Sequence, residues 1–475
     1  MQNYYRRGRV GGMAAGLLAQ FIVIAAPARA ETLSEALQAA RARHPRIEGA
    51  RSRALAAKEG VAQAKAAFMP TIAAHGTAGA SSDPNDPTLS RSRLTNSIGY
   101  DVLLTQPLYD GGRTSSAVGV AKASEAAEGE TARQTEHQTL LAGVTAFVDV
   151  ITGRRLIGIN ERNTALLERV AEAARRQLAA REGTKADVAQ AEAALAGARA
   201  QLEAARGDNS GNEAVFADVL LHPPGRLEPP PSLAHLLPDS RDSALAQGER
   251  ENSDVVIAHA RLTAATHAIE QARAGARPSI SLQAGYERVP APFADTDGRG
   301  GAVVRVVGTI PIYTGGLAQA QERAALHSHA AAAYQVADTR SQVRTAVAQA
   351  WSRMIAARAA LGSVKAQQAS SRIAFDGIAA ERKLGQRTMT EQIIAQQAML
   401  SAETALEQTT RNLYVSTCTV LMLTGRFDTA TISDAIRKAP RPATVSRIAP
   451  SPMTAAASTL TVGSAWTTSV REARR

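Results

Sequence analysis

The chain is written twice. Ala-Phe-Met-Pro-Thr-Ile around Pro70 matches Gly-Ala-Arg-Pro-Ser-Ile around Pro278, an offset of 208 residues. Further on, Gln-Pro-Leu-Tyr-Asp-Gly-Gly (Gln106–Gly112) returns as Ile-Pro-Ile-Tyr-Thr-Gly-Gly (Ile310–Gly316), an offset of 204. Two landmarks whose offsets differ by four residues mean one architecture duplicated, with a slightly shorter loop in the second copy. Any fold for this chain must therefore hold two like halves, read here as 31–240 and 241–428.

Residues 1–30 read as a secretory signal. Arg6, Arg7 and Arg9 form a positive start, Val10–Ile24 is mostly apolar, and Ala28-Arg29-Ala30 ends in a small-x-small cleavage pattern. No cysteine lies near that site to carry a lipid. Cys418 is the only cysteine and cannot form an internal disulfide, so its apolar surroundings mark it as a buried, inert thiol. The formal charge is +11, of which four positives leave with the signal. What remains is interspersed with Glu and Asp along helical stretches, without a basic run or aromatic interleaving, which excludes nucleic acid as a partner.

Each copy opens on an Ala-rich helix, Thr32–Ala67 and Asp242–Ala276, ended by Pro70 or Pro278. Thr32 and Glu35 have the spacing of a capping box. The period then changes to two. Strands are expected at 70–80 and 97–109 in the first copy, and at 278–288 and 301–313 in the second. One face of each is apolar, as in Ile280, Leu282, Ala284 and Tyr286, and the other mixed. Such strands have the length of tilted barrel strands, about 9–11 residues, and the same alternation also suits a half-buried sheet of a soluble domain. Polar loops, Ser81–Asn96 and Pro290–Gly300, join them.

After each Gly-Gly comes an uninterrupted helical stretch, 113–181 and 317–385, without a proline. At about 1.5 Å per residue each is roughly 100 Å long. No ordinary core needs that length, so these helices must pack as a coiled-coil-like wall, with Phe147, Val144, Trp351 and Val347 as packing positions. Gly183 and Gly385 are placed to end the long helices in a left-handed residue. Thr184 with Asp187, and Thr388 with Glu391, then cap returning helices over Ala186–Arg206 and Met389–Leu423. A Pro-rich linker, Pro223–Pro238, joins the copies, and the tail 429–475 has the composition of a disordered periplasmic segment.

The duplicated plan, both Gly-Gly junctions and the run Thr184-Lys-Ala-Asp-Val-Ala-Gln-Ala-Glu192 resemble the TolC family of outer-membrane efflux and secretion channels. The resemblance covers nearly all of Glu31–Phe427, and the latter run with Pro223-Pro-Gly-Arg-Leu227 leans toward its type I secretion branch. It implies a mainly α chain with a transmembrane β-barrel contribution. Three chains of four strands would close a twelve-stranded barrel in the outer membrane of a Gram-negative cell, continued by an α-helical tunnel across the periplasm. It also implies a homotrimer that works with a periplasmic adaptor protein and an inner-membrane ABC or proton-driven transporter, without a cofactor, a metal or chemistry on the cargo. Outer-membrane lipid would surround the barrel.

By the same resemblance, the turns at Gly183, Thr184, Gly385 and Thr388 would face the adaptor, and Arg387, Glu391 and Asp187 would stand at the tunnel entrance. Arg387 and Glu391 match the arginine and first acidic position of the family's gate; the second acidic position is Ile394 here. Simple turn capping with an exposed ion pair accounts for the same residues. Asp101, Thr105, Arg305 and Thr309 fall on the mixed face expected to line the lumen, where Asp101 and Arg305 either pair or only border water. Two rivals are weighed. An enzyme would need a phosphate loop, a nucleophile elbow or clustered His/Cys ligands, whereas His44, His75, His327 and His329 are scattered. A soluble periplasmic coiled-coil adaptor or scaffold shares the long helices but has no need of two matched strand pairs.

Overall fold

The computed structural model describes residues 30–81, 95–288 and 300–427. The expected signal segment, strand-joining loops and tail lie almost wholly outside the described residues. The elements run α1 (Leu33–Arg43), α2 (Pro45–Ala66), β1 (Thr71–Ser81), β2 (Thr95–Tyr109), α3 (Arg113–Ala179) and α4 (Lys185–Leu220). A short 3₁₀ turn (Ala234–Leu236) precedes α5 (Arg241–Glu251), α6 (Ser253–Ala274), β3 (Ser279–Arg288), β4 (Gly300–Thr309), α7 (Leu317–Lys383) and α8 (Met389–Leu423). Both long helices, α3 and α7, have 67 residues.

The single opening helix expected in each copy is in fact broken, at His44 and at Asn252. These two positions are 208 residues apart, so the break belongs to the duplicated plan. Pro45 disfavours helical geometry at the residue before it, and His44 is extended (φ −69°, ψ 125°). Its Nδ1 accepts the Arg46 N–H at 3.1 Å. Asn252 has nearly the same backbone without a proline, and its Oδ1 accepts the Asp254 N–H at 2.9 Å.

The first returning helix continues past Arg206 to Leu220. It crosses Gly207, Asp208, Asn209, Ser210 and Gly211, which are poor helix formers. Packing overrides propensity here, because Phe216 and Leu220 beyond them are fully buried. Conversely β4 stops at Thr309, short of the expected 313. Its partner β3 begins opposite it at Ser279, and Pro311 has no N–H to donate.

Each element is anchored at its junction. Gly111 and Gly112 (φ +69° and +88°) and Gly315 and Gly316 (φ +63° and +84°) turn the chain from strand into long helix in the left-handed region. In the first copy the Asp110 carboxylate accepts the N–H groups of Gly112 and Thr114 at 3.0 and 2.6 Å. Arg277, between α6 and β3 of the second copy, donates to the Gly111 carbonyl at 2.9 Å and ties this junction to the start of β3.

The strands form one antiparallel sheet in the order β1-β2-β3-β4. Register sorts the side chains by face. Ile72, Leu104, Ala284 and Val304 form one row across all four strands, and Ala74, Val102, Tyr286 and Ala302 the next. On this face Ile72 is 71% exposed, Val304 74% and Val306 65%, so no part of the described chain covers it. The opposite face carries the row Thr71, Thr105, Gln283, Arg305 and the row His75, Asp101, Glu287.

The helices pack in sequence α2, α3, α6, α7, with α4 laid on α3 and α8 on both α7 and α3. The main core gathers Leu37, Leu140, Val144, Phe147, Phe216, Leu220, Leu233, Cys418, Leu421 and Phe427, drawing on both repeats and the linker. Phe147 is fully buried as expected, whereas Trp351 is only half-buried, against Val343 and Val347. Burial pushes the Cys418 thiol up to about 12, which leaves it inert.

Gly285 faces the β2 backbone so closely that an added Cβ would run into the Val102 carbonyl. Gly301, on the neighbouring strand, has open space around it. Gly285→Ala is therefore expected to lower the yield of membrane-folded protein severalfold, and Gly301→Ala to leave it unchanged, as read from folded and unfolded bands on unheated gels.

Candidate functional site

The two helical turns are built alike. At the end of α3 the Glu182 N–H reaches the Gln177 carbonyl at 2.8 Å and the Arg181 N–H that of Leu178 at 3.0 Å. At the end of α7 the Gln386 N–H reaches Glu381 at 3.0 Å and the Gly385 N–H reaches Arg382 at 2.9 Å. Both are Schellman-type ends, with a left-handed residue closing the last turn. Gly385 takes that conformation (φ +77°) as expected, but Gly183 does not. In the first turn Arg181 (φ +63°) occupies the position 204 residues before Gly385.

The caps follow immediately. Thr184 and Asp187 form a capping box, with the Asp187 N–H donating to Thr184 Oγ1 at 3.1 Å and the Thr184 N–H to Asp187 Oδ2 at 3.0 Å. Thr388 and Glu391 repeat it at 3.2 and 2.8 Å. Bonds from the Thr184 hydroxyl, then from its backbone, hold the Asp187 carboxyl below the usual range. Glu391 is held lower still, at about 2, by the Thr388 N–H, then by Arg387 and the Thr388 hydroxyl.

Arg387 is the link across the second turn. Its Nε donates to Glu381 at 2.8 Å and its Nη1 to Glu391 at 2.8 Å, so one guanidinium spans the end of α7 and the start of α8. Further contacts join the turns. The Thr390 hydroxyl donates to Gln190 at 2.8 Å, and Arg382, its pKa lowered by burial, donates to Gln392 in the field of Asp187. Ile394, where the resemblance places a second acid, is 63% exposed.

Above the turns a polar ladder fastens α3 to α8, which composition alone did not single out. Asn163 accepts from the buried Gln396, Arg155 meets Glu407 at 2.9 Å, and Asp149 receives Arg411 at 2.6 and 3.1 Å. Arg162 stands 3.8 Å from Glu403. A sequence signal for it existed: Glu403, Glu407 and Arg411 recur every fourth residue, on one helix face.

On the polar face of the sheet, Asp101 and Arg305 find partners other than each other. Asp101 pairs with His75 at 3.0 Å, and Arg305 reaches Gln283 at 2.6 Å and Glu287 at 3.2 Å. Thr105 stands opposite Thr71 and Gln283, and Thr309 opposite Ser279.

A sheet with one bare apolar face and one charged face, on two paired rods of 67-residue helices, has clear counterparts. The outer membrane efflux protein family matches residues 36–214 and 245–426, one segment in each copy. The chain belongs to that family. It is 32% identical to the outer membrane efflux protein BepC of Brucella suis, over 87% of this chain and 90% of the relative. In structure it resembles the CmeC outer membrane channel of Campylobacter jejuni, with a TM-score of 0.73 at 13% identity over 86% of this chain and 89% of that one. The outer membrane protein VceC of Vibrio cholerae gives a TM-score of 0.70 at 17% identity, over 83% and 96%.

The chain is accordingly an outer-membrane efflux channel of TolC type, with its helical part in the periplasm. The family is one of channels, which are not enzymes, and the soluble-scaffold reading finds no support. Among the described residues no helix is long and apolar enough to cross a membrane.

Two outcomes test the turn. The folded-state pKa of Glu391 lies below its ordinary 4.5, so its stabilising bonds are complete above that value and are lost as pH falls through about 2. Carboxyl NMR of labelled protein is expected to show Glu391 ionised from pH 7 down to about pH 3. Secondly, Gly385→Ala should destabilise its turn by about 1 kcal/mol and Arg181→Gly should stabilise the other by a similar amount, measured by hydrogen exchange of the turn amides.

Proposed function

We propose that three copies of this chain close one twelve-stranded barrel and form the exit duct of a tripartite type I secretion or efflux system. The observation that carries the trimer is the four-stranded sheet, with β1 and β4 at its borders and an exposed apolar face. Lipid offers no hydrogen bonds to strand borders, and a four-stranded sheet is too narrow to close on itself. Joining β4 of one copy to β1 of the next satisfies every border at once. The face with Asp101, Thr105, Arg305 and Thr309 then lines the lumen, and the apolar rows meet lipid.

The helical turns at Gly183, Thr184, Gly385 and Thr388 face a periplasmic adaptor, through which an inner-membrane transporter delivers cargo. The run Thr184–Glu192 favours an ABC exporter over a proton-driven pump. Conduction is passive, and the resting state is closed at the turns. Arg387 is the main link there, because it holds α7 and α8 ends with two bonds while Asp187 and Glu391 brace the caps. With Ile394 in place of a second acid, the entrance carries a weaker ring of negative charge and little cation selectivity.

Single-channel recording in planar bilayers tests both levels. The native channel is expected to be mostly closed, and Arg387→Ala with Glu391→Ala to raise open probability severalfold. An unchanged open probability rejects the gating role, whereas the absence of any pore in well-folded protein rejects conduction itself.

A further inference from the structure

Between α3, α8 and the linker lies a cavity of about 320 Å³, apart from both the turns and the sheet. Its floor is apolar, built from Val148, Ile151, Leu233 and Leu413. Its rim is cationic, with Arg155, Arg358 and Arg411 converging on it from three helices. Two of these are already engaged, Arg155 with Glu407 at 2.9 Å and Arg411 with Asp149 at 2.6 Å. Arg358, exposed on α7, has no hydrogen-bond or ion-pair partner among the described residues.

A second feature sets the cavity apart from ordinary surface relief. Tyr414 lines it, and the Tyr414 hydroxyl is buried without a hydrogen-bond partner. Folded chains seldom leave a buried polar group unpaired unless something else serves it. An apolar floor of this volume with a few convergent polar groups lies within the ~300–1,000 Å³ range of small-ligand sites.

We propose that this cavity binds small amphiphilic anions, namely aromatic or short aliphatic carboxylates. The apolar body fills the floor and the carboxylate meets the free guanidinium of Arg358. A carboxylate suits a planar guanidinium because both oxygens can accept parallel N–H bonds. The chain's own residues beyond Phe427 suit the rim poorly, since they carry seven basic and three acidic side chains. An occupant also sits against Arg155 and Glu407, so it braces the ladder between α3 and α8.

The test uses the full mature protein in nanodiscs, titrated with naphthoate and followed by calorimetry. Saturable binding with a Kd near or below about 1 mM is expected. Arg358→Ala should weaken it at least about tenfold, because the charge-assisted bonds are lost. Ser232→Trp, which fills the cavity mouth from the linker, should abolish it, and the neutral naphthalenemethanol should bind at least about tenfold more weakly. The proposal is overturned by the absence of saturable binding, by equal affinity for the neutral analogue, or by binding that survives both substitutions. Arg358 and Ser232 are exposed, so both variants are expected to fold.

Discussion

A β-strand in lipid must place every N–H and C=O on another strand, because no water is present to take them. This constraint decides the rest of the molecule. The described residues of one chain supply four strands and leave β1 and β4 at the borders of their sheet. The same register that pairs the strands puts Ile72, Val304 and Val306 on one face and His75, Asp101, Glu287 and Arg305 on the other. One face thus demands an apolar solvent and the other an aqueous one. In the proposed trimer, closing the borders creates both environments in a single step.

The helical part meets a different problem, since rods of about 100 Å cannot be covered by one compact core. The chain instead distributes its apolar contacts. A main cluster around Phe147 and Phe216 sits where linker and both repeats meet, and a small one around Ala171, Ala191 and Met389 lies beside the turns. Between them α3 and α8 are joined mostly by polar bonds, from Asp149–Arg411 to Asn163–Gln396. The first of these is a part-buried ion pair and the last a buried amide pair. Direction-specific polar contacts, rather than apolar area, thus set the register of α8 on α3. The turns are firmer, because backbone bonds and capping boxes hold them before Arg387 adds its two contacts.

Much of this was legible in the residues because duplication supplied an internal check. The caps at Thr184 and Thr388, the Gly-Gly junctions and the strand faces could each be compared with a second copy. Errors arose where local composition and tertiary packing disagree. Ala-rich stretches hid the helix breaks at His44 and Asn252, although His44-Pro45 carried the signal. Poor helix formers over 207–211 concealed the continuation of α4, which Phe216 and Leu220 enforce from the core. Gly183 attracted the left-handed assignment on residue type, yet the repeat offset pointed to Arg181. The partners of Asp101 and Arg305 were out of reach, since they depend on a register that alternation alone does not fix.

The most direct test of the account is stoichiometry together with strand pairing. Native mass spectrometry of the mature protein, extracted from membranes, should give a particle of three chains. Cysteines placed singly on β1 and on β4 in that preparation should then cross-link between different protomers. A monomer or dimer that conducts, or a particle in which β1 and β4 pair only within their own chain, would contradict it.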